Sequence, residues 1–365
     1  MKIGVLTYHD ASNYGACLQA QASIASIEKY NSDVELIDYK NSYRSGIYDP
    51  NQRIIKSFQK KKYKELFLYL ISYLGVVLRN KSFQLYRNRY FKISKNTSFN
   101  DEELNLNTQK YDIIISGSDQ VWNPNNNGFD LNYLLKFANS NQRKVSFSSS
   151  MTIQNLSDDI KDDYIRLLNK FDYLSVRELS TVNILEQYLN NEIIETLDPV
   201  LLHGVKYWDR FVSESIKYTN YDLHYVNNSS YFQNPLLKKR DIINIGSFKI
   251  VDIFRFKFKI KNHYGPGEFI YLIKNATTVF TTSFHAVIMC LIYNKPFFVH
   301  LTGNKGRDSR ITNLLEKFDL LNCAIYNSKS IDINNKPDFS TFNEKIEGLR
   351  KLTDHFLEDS LQNKA

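Results

Sequence analysis

The chain has 365 residues, 42% hydrophobic and 24% charged, with a formal net charge of +8. That length exceeds one simple core and suits two α/β domains, and the balance excludes a disordered or fibrous chain. Cys17, Cys290 and Cys323 are far apart with no CxxC, which excludes a disulfide framework and a zinc site and points to a reducing cytoplasm.

Residues 2–8 read as a first buried strand and not as a signal peptide, with a helix over 16–30. The turn between them, HDASNYGA, carries Asn13, Tyr14 and Gly15 at its tip. That is where an α/β domain places polar ligands, although one glycine is a weaker mark than a dinucleotide fingerprint. A second strand spans 34–39. Residues 53–95 then hold twelve Lys and Arg against Glu65 alone, a net +11 that leaves −3 for the rest of the chain. Within 51–95, read as a basic helical insertion, the run ELFLYLISYLGVVL is flanked by base on both sides. Either it meets an anionic membrane surface or it is a core helix with basic flanks. No apolar run reaches the ~18 residues of a transmembrane helix. No nucleic-acid module accompanies the charge, so nucleic acid is not an expected partner.

A buried strand at 111–116 runs into Gly117-Ser118-Asp119-Gln120-Val121-Trp122-Asn123-Pro124, polar groups at the carboxyl edge of a sheet. Asp119 suits a general base or a turn cap equally. Trp122 could stack on a sugar, but an isolated tryptophan more often plugs a core. A strand at 144–150 ends in hydroxyls, and a helix at 156–171 opens on Ser157-Asp158-Asp159. The strand at 173–176 delivers Arg177 and Glu178. Arg177 either clamps a carboxylate or phosphate or pairs with Glu178 or another acid. A helix at 179–189 and a strand at 193–197 lead to Asp198-Pro199, a rigid turn read as the hinge. The expected domains are 1–203 and 204–340, with a C-terminal helical segment at 341–365 packing back on the first.

In the second half, residues 248–260 alternate Phe254, Phe256, Phe258 and Ile260 with Arg255, Lys257 and Lys259, the pattern of an edge strand guarded by cations. Gly265-Pro266-Gly267-Glu268 opens a helix. A strand at 277–280 meets Thr281, Thr282 and Ser283, where a helix N-cap belongs. Residues 284–293 are apolar nearly all round, so this helix is expected to be buried, ending at Asn294-Lys295-Pro296. His285 stands in its first turn. A helix N-terminus gathers anions, so His285 is either a proton donor beside an anion site or a satisfied core histidine. Lys305 and Arg310 flank the start of an amphipathic helix at 311–318, and a helix at 342–361 closes the chain.

Four stretches together resemble one family. Asn13-Tyr14-Gly15-Ala16, GSDQVWN at 117–123, VRE at 176–178 with LDPVLL at 197–202, and GPGEF with NATTVFTTSFHAVIMCLIYNKPF within 265–297 are similar, in order and spacing, to the polysaccharide pyruvyl transferases. The resemblance runs from the first strand to about residue 315. It implies a GT-B-like pair of Rossmann-type domains facing a cleft, the first on the acceptor side and the second on the donor side. It also implies phosphoenolpyruvate as co-substrate, no metal and no other cofactor. The product would be a pyruvate ketal on a saccharide, lipid-linked or otherwise, in capsule, exopolysaccharide or wall-glycan synthesis at the cytoplasmic face of the membrane.

By the same resemblance His285 is the catalytic acid; Asp119 is read beside it, on its own chemistry, as a candidate general base for the acceptor hydroxyl. Arg177, Ser283, Phe284, Arg310 and Lys305 would hold the donor, and Asn13, Tyr14, Gly15, Gln120 and Trp122 the acceptor. Some relatives carry Arg where this chain has Ser283, which leaves that anion contact to Arg310, Lys305 or backbone N–H groups. Ala286 stands where many relatives have Gly. A GT-B glycosyltransferase using a nucleotide sugar is the alternative enzyme, and a non-catalytic carbohydrate binder the third reading.

Overall fold

Short buried runs rich in Ile and Val pair side by side in the first half of the chain. Ile3–Leu6 (β1), Val34–Leu36 (β2), Ile113–Ser116 (β3) and Arg143–Ser146 (β4) form an all-parallel sheet in the order β2-β1-β3-β4. Every residue of β1 and β3 is buried, as expected where helices cover both faces of a parallel sheet. Leu174–Val176 (β5) and Ile193–Glu195 (β6) pair in parallel, and single bridges from Val145 to Tyr173 and from Ser149 to Val176 join β5 to the β4 side. The computed structural model describes residues 1–153, 155–226, 241–245, 263–303, 305–326 and 336–362.

These residues group into two compact units. Unit 1 comprises Met1–Ser45, Tyr90–His203 and Ile346–Ala365, and unit 2 comprises Gly46–Arg89 and Gly204–Lys345. The helix Tyr14–Ile27 of unit 1 is buried at every residue but Ala25. Its Ala and Ser side chains make that possible, because Ser23 and Ser26 return their hydroxyls to the carbonyls of Gln19 and Ala22 at 2.8 and 2.9 Å. Within Ser340–Leu361, the part from Ile346 packs on unit 1: Arg350 Nε donates to Leu201 O at 2.8 Å, and Thr353 Oγ1 accepts from Leu197 N at 3.0 Å.

In unit 2, Tyr221–Tyr225 (β7), Asp241–Asn244 (β8), Thr278–Thr281 (β9), Phe297–His300 (β10) and Ala324–Ile325 (β11) form a second parallel sheet, ordered β11-β10-β9-β7-β8. The winding repeats that of unit 1, with the second strand on one side of the first and the third and fourth on the other. The edge strand read at 248–260 lies outside the described residues. One expectation is corrected: the basic helices Pro50–Gln59 and Tyr63–Tyr90, written as an insertion of the first domain, group with unit 2. Packing explains it. A Cβ added at Gly265 would meet Ser82 Cβ at 3.3 Å, so the long helix lies directly against the start of Pro266–Asn275.

Two core histidines make stability depend on pH. Burial lowers the pKa of His203 and of His224 to about 4, against ~6.5 in an unfolded chain. Between these values the unfolded chain binds more protons, so stability is complete above about 6.5 and falls as pH drops toward 4. Urea unfolding should show a lower midpoint at a pH of about 5 than at about 7.5. An equal or higher midpoint at the lower pH would contradict the burial of two neutral imidazoles.

Candidate functional site

In an open parallel sheet the chain leaves the first and third strands in opposite directions, and a crevice opens at their carboxyl ends. In unit 2 these ends belong to β7 and β9. Thr281 Oγ1 and Thr282 N both donate to Tyr225 O, at 2.9 and 3.3 Å, tying the strands together where they part. Ser283 N donates to Thr281 Oγ1 at 3.0 Å, and Ser283 Oγ accepts from Ala286 N at 3.4 Å. Ser283 is therefore the N-cap of Phe284–Ile292, all nine residues of which are buried.

His285 is the second residue of this helix, 7% exposed, with its ring edge-on to Phe284 at 5.3 Å. Arg310 Cζ lies 5.4 Å from the centroid of the Phe284 ring, within cation–π range. Arg310 belongs to Lys305–Lys317, which starts earlier than the expected 311 because Asp308 accepts from Gly303 N at 2.7 Å and Thr302 Oγ1 at 3.0 Å. Imidazole, aromatic ring and guanidinium thus follow one another at a helix N-terminus, an arrangement suited to an anion that must also receive a proton. Lys305 opens the Arg310 helix, but its side chain lies outside the described residues.

The glycine of GPGEF has a packing role. A Cβ at Gly267 would come 2.9 Å from Phe211 O. Glu268 accepts from Gly265 N at 3.0 Å and from Ser213 and Ser215 at 2.7 and 2.8 Å, so this motif builds unit 2.

In unit 1 the equivalent crevice lies between the ends of β1 and β3, and Asn13, Asp119 and Gln120 follow those ends. A Cβ at Gly117 would come 2.9 Å from Thr7 Cβ, so only glycine lets β3 leave the sheet this close to β1. Thr7 Oγ1 and Tyr8 Oη then hold the carbonyls of Ser118 and Gln120, at 2.8 and 3.0 Å. Asp119 is half-buried at φ 80°, a left-handed turn stabilised by Gln120 N donating to its Oδ1 at 2.8 Å. Gln120 Oε1 accepts from Asn123 Nδ2 at 3.0 Å and from Asn126 Nδ2. Asn13 caps Tyr14–Ile27 through Ala16 N at 3.1 Å.

Three of the expected acceptor contacts are buried. Trp122 is 0% exposed, with its Nε1 donating to Ser116 Oγ at 2.9 Å and Tyr133 O at 3.1 Å, so it fills the core and has no face left for a sugar. Tyr14, 2% exposed, and Gly15 are buried in the first helix turn.

Arg177 takes the pairing alternative. Its Nε and Nη1 donate to Glu178 Oε1 at 2.9 Å and Asp198 Oδ2 at 2.8 Å, all three side chains at or below 5% exposure. Burial alone would lower the arginine pKa, but the charges of Glu178, Asp198 and Asp119 raise it. Ser150 Oγ adds a bond to Glu178 Oε1 at 2.9 Å, and Val200 N one to Asp198 Oδ1 at 2.9 Å. The serines of 146–150 are buried parts of this same stitching: Ser148 Oγ bonds Leu197 O at 2.6 Å, and Ser149 Oγ bonds Ser116 O at 3.0 Å.

The structure also reveals a pair missed in the sequence. His9 Nε2 lies 3.0 Å from Asp38 Oδ1, beside the end of β1, and Arg44 Cζ stands 3.8 Å over the Tyr8 ring. Burial works to raise the Asp38 pKa, yet hydrogen bonds from His9 and Thr97 hold it below the usual carboxylate range. The available signal was a histidine directly after the first strand.

The model of the polysaccharide pyruvyl transferase family matches residues 13–301. The chain belongs to the polysaccharide pyruvyl transferase family. At family level it is a transferase of polysaccharide biosynthesis. No curated protein matches the chain. Similar solved structures include the UDP-N-acetylglucosamine 2-epimerase of Rickettsia bellii, at 10% identity and TM-score 0.49, covering 98% of this chain and 96% of the epimerase. The UDP-GlcNAc 2-epimerase of Methanocaldococcus jannaschii is 12% identical at TM-score 0.47, with 95% and 92% coverage. The E. coli ADP-heptose LPS heptosyltransferase II is 9% identical at TM-score 0.37, with 96% and 99% coverage. The α/β architecture of this pyruvyl transferase family member follows from its own parallel strand orders.

Removing Arg177 would strand two buried carboxylates. Arg177→Leu should destabilise the ligand-free protein by about 3–5 kcal/mol in urea unfolding. Wild-type stability in that variant would contradict an architectural role for the arginine.

Proposed function

We propose that the chain forms pyruvate ketals, moving the three-carbon unit of phosphoenolpyruvate onto two hydroxyls of one sugar in surface-polysaccharide synthesis. The observation that carries this reading is His285, in a protein of this family, held in the first turn of a buried helix at the carboxyl end of β9 with Arg310 one aromatic ring away.

Addition of a sugar hydroxyl to C2 of the enol requires a proton at C3. His285 supplies it, converting the CH2 terminus to CH3 as the C2–O bond forms. Loss of inorganic phosphate then exposes C2 to the second hydroxyl, which closes the ketal. One phosphoenolpyruvate and two hydroxyls become one ketal and one phosphate, with no oxidant or reductant needed. The helix N-terminus beside His285 suits the carboxylate and phosphate of the donor, whose charges its unpaired N–H groups attract. Arg310 supplies the cationic contact for the anion at this N-terminus, where Ser283 Oγ accepts from Ala286 N and caps the helix.

The attacking hydroxyls need a base, and Asp119, the half-buried carboxylate after β3, has that chemistry, with Asn13 and Gln120 as saccharide contacts. The acceptor is a saccharide carried on lipid or free. Arg177 holds Glu178 and Asp198 in place and is not assigned to the donor.

With phosphoenolpyruvate and the organism's own glycan precursor, the protein should release inorganic phosphate only when the glycan is present. His285→Ala should lower that rate by ~10²–10⁴-fold with the melting temperature little changed. Arg310→Ala should raise KM for phosphoenolpyruvate by about 10–100-fold, the value of one charge-assisted contact. Release of a nucleoside diphosphate from a sugar nucleotide, or full activity in His285→Ala, would overturn the reading.

A further inference from the structure

Monomers rarely leave a long apolar stripe in water. Tyr63–Tyr90 does so. Phe67, Leu70, Leu74, Val77, Leu78 and Leu85 are 36–60% exposed and recur at intervals of three, four and seven, which sets them on one helix face about 100° wide. Between the first and the last the helix rises about 27 Å. The other face is the one that packs: Phe83 is 0% and Tyr86 7% exposed, and Ser82 meets Gly265. Phe58, 66% exposed on the preceding Pro50–Gln59 helix, adds to the apolar surface.

The charge beside this stripe identifies what covers it. Lys60, Lys61, Lys62 and Lys64 cluster at its start and Lys81 lies within it, all exposed, in a segment of net +11 with Glu65 as its one acid. A second copy would bring +11 against +11. Nucleic acid would match the charge and leave the leucines in water. No helix among the described residues is long and apolar enough to cross a membrane. An anionic lipid surface satisfies both halves, taking the aliphatic side chains among its acyl chains and the ammonium groups among its phosphates.

We infer that Tyr63–Tyr90 lies flat on anionic phospholipid, docking the protein to a membrane surface through the Phe67–Leu85 stripe and its lysines. The inference stands independently of the reaction assigned above.

Flotation of the full chain with vesicles tests it. The protein should float with phosphatidylcholine vesicles that contain phosphatidylserine, stay behind with phosphatidylcholine alone, and release as salt rises. Lys60→Glu/Lys61→Glu/Lys62→Glu should weaken binding by at least about a hundredfold. Leu70→Ser/Leu74→Ser should weaken it too, both variants keeping wild-type circular dichroism and melting. Equal binding to both lipids, no flotation with either, or a concentration-dependent dimer lost in Leu70→Ser/Leu74→Ser would overturn the proposal, the last by assigning the stripe to a second copy.

Discussion

The constraint on which everything else rests is the winding of two parallel sheets. When the third strand pairs on the far side of the first from the second, the chain must diverge at their carboxyl ends, and a polar crevice is the geometric result. Both sheets are wound this way, β2-β1-β3-β4 in unit 1 and β8-β7-β9-β10 in unit 2. Asp119 follows the third strand of the first sheet and His285 the third strand of the second. Each proposed catalytic group therefore follows a strand end where the winding opens a crevice.

Several of the motif residues have packing roles. Gly117 admits β3 to within contact of Thr7, Gly267 admits its helix to Phe211, and Trp122 fills the core against Ser116 and Tyr133. The Arg177–Glu178–Asp198 cluster carries more electrostatic risk than any of these. Three buried charges are tolerable because each is hydrogen-bonded, Ser150 Oγ donating to Glu178 Oε1 and Val200 N to Asp198 Oδ1 beside the two arginine contacts. Motif residues in this fold thus divide into those proposed to face a ligand and those that pack the sheet edge.

The parts legible in the sequence were those whose pattern had one physical meaning. Ile113–Ser116 and Thr278–Thr281 are unbroken β-branched or aromatic runs, and Phe284–Ile292 is apolar all round with three hydroxyls before it. Tyr221–Tyr225 was obscured because Asp222 and His224 alternate with apolar residues as if facing water, yet both are about 5% exposed in a strand covered on both faces. Ala324–Ile325 is too short to show a period. For Arg177 and Trp122 the residue type allowed two uses, and only the positions of Asp198 and Ser116 decide between them. The His9–Asp38 pair joins residues 29 apart on neighbouring strand ends, a proximity no local pattern encodes. The basic helices carried a legible charge, but their place in unit 2 reflects packing between residues distant in the chain, such as Ser82 against Gly265.

The central claim is that His285 delivers a proton to C3 of the enol as the ketal forms. The direct measurement is mass and NMR analysis of the saccharide product made from phosphoenolpyruvate in heavy water. The account predicts a pyruvate ketal whose methyl group carries one deuterium (CH2D), absent with His285→Ala. A product that keeps an intact enol CH2, or a sugar transferred from a nucleotide with no three-carbon unit gained, would contradict it.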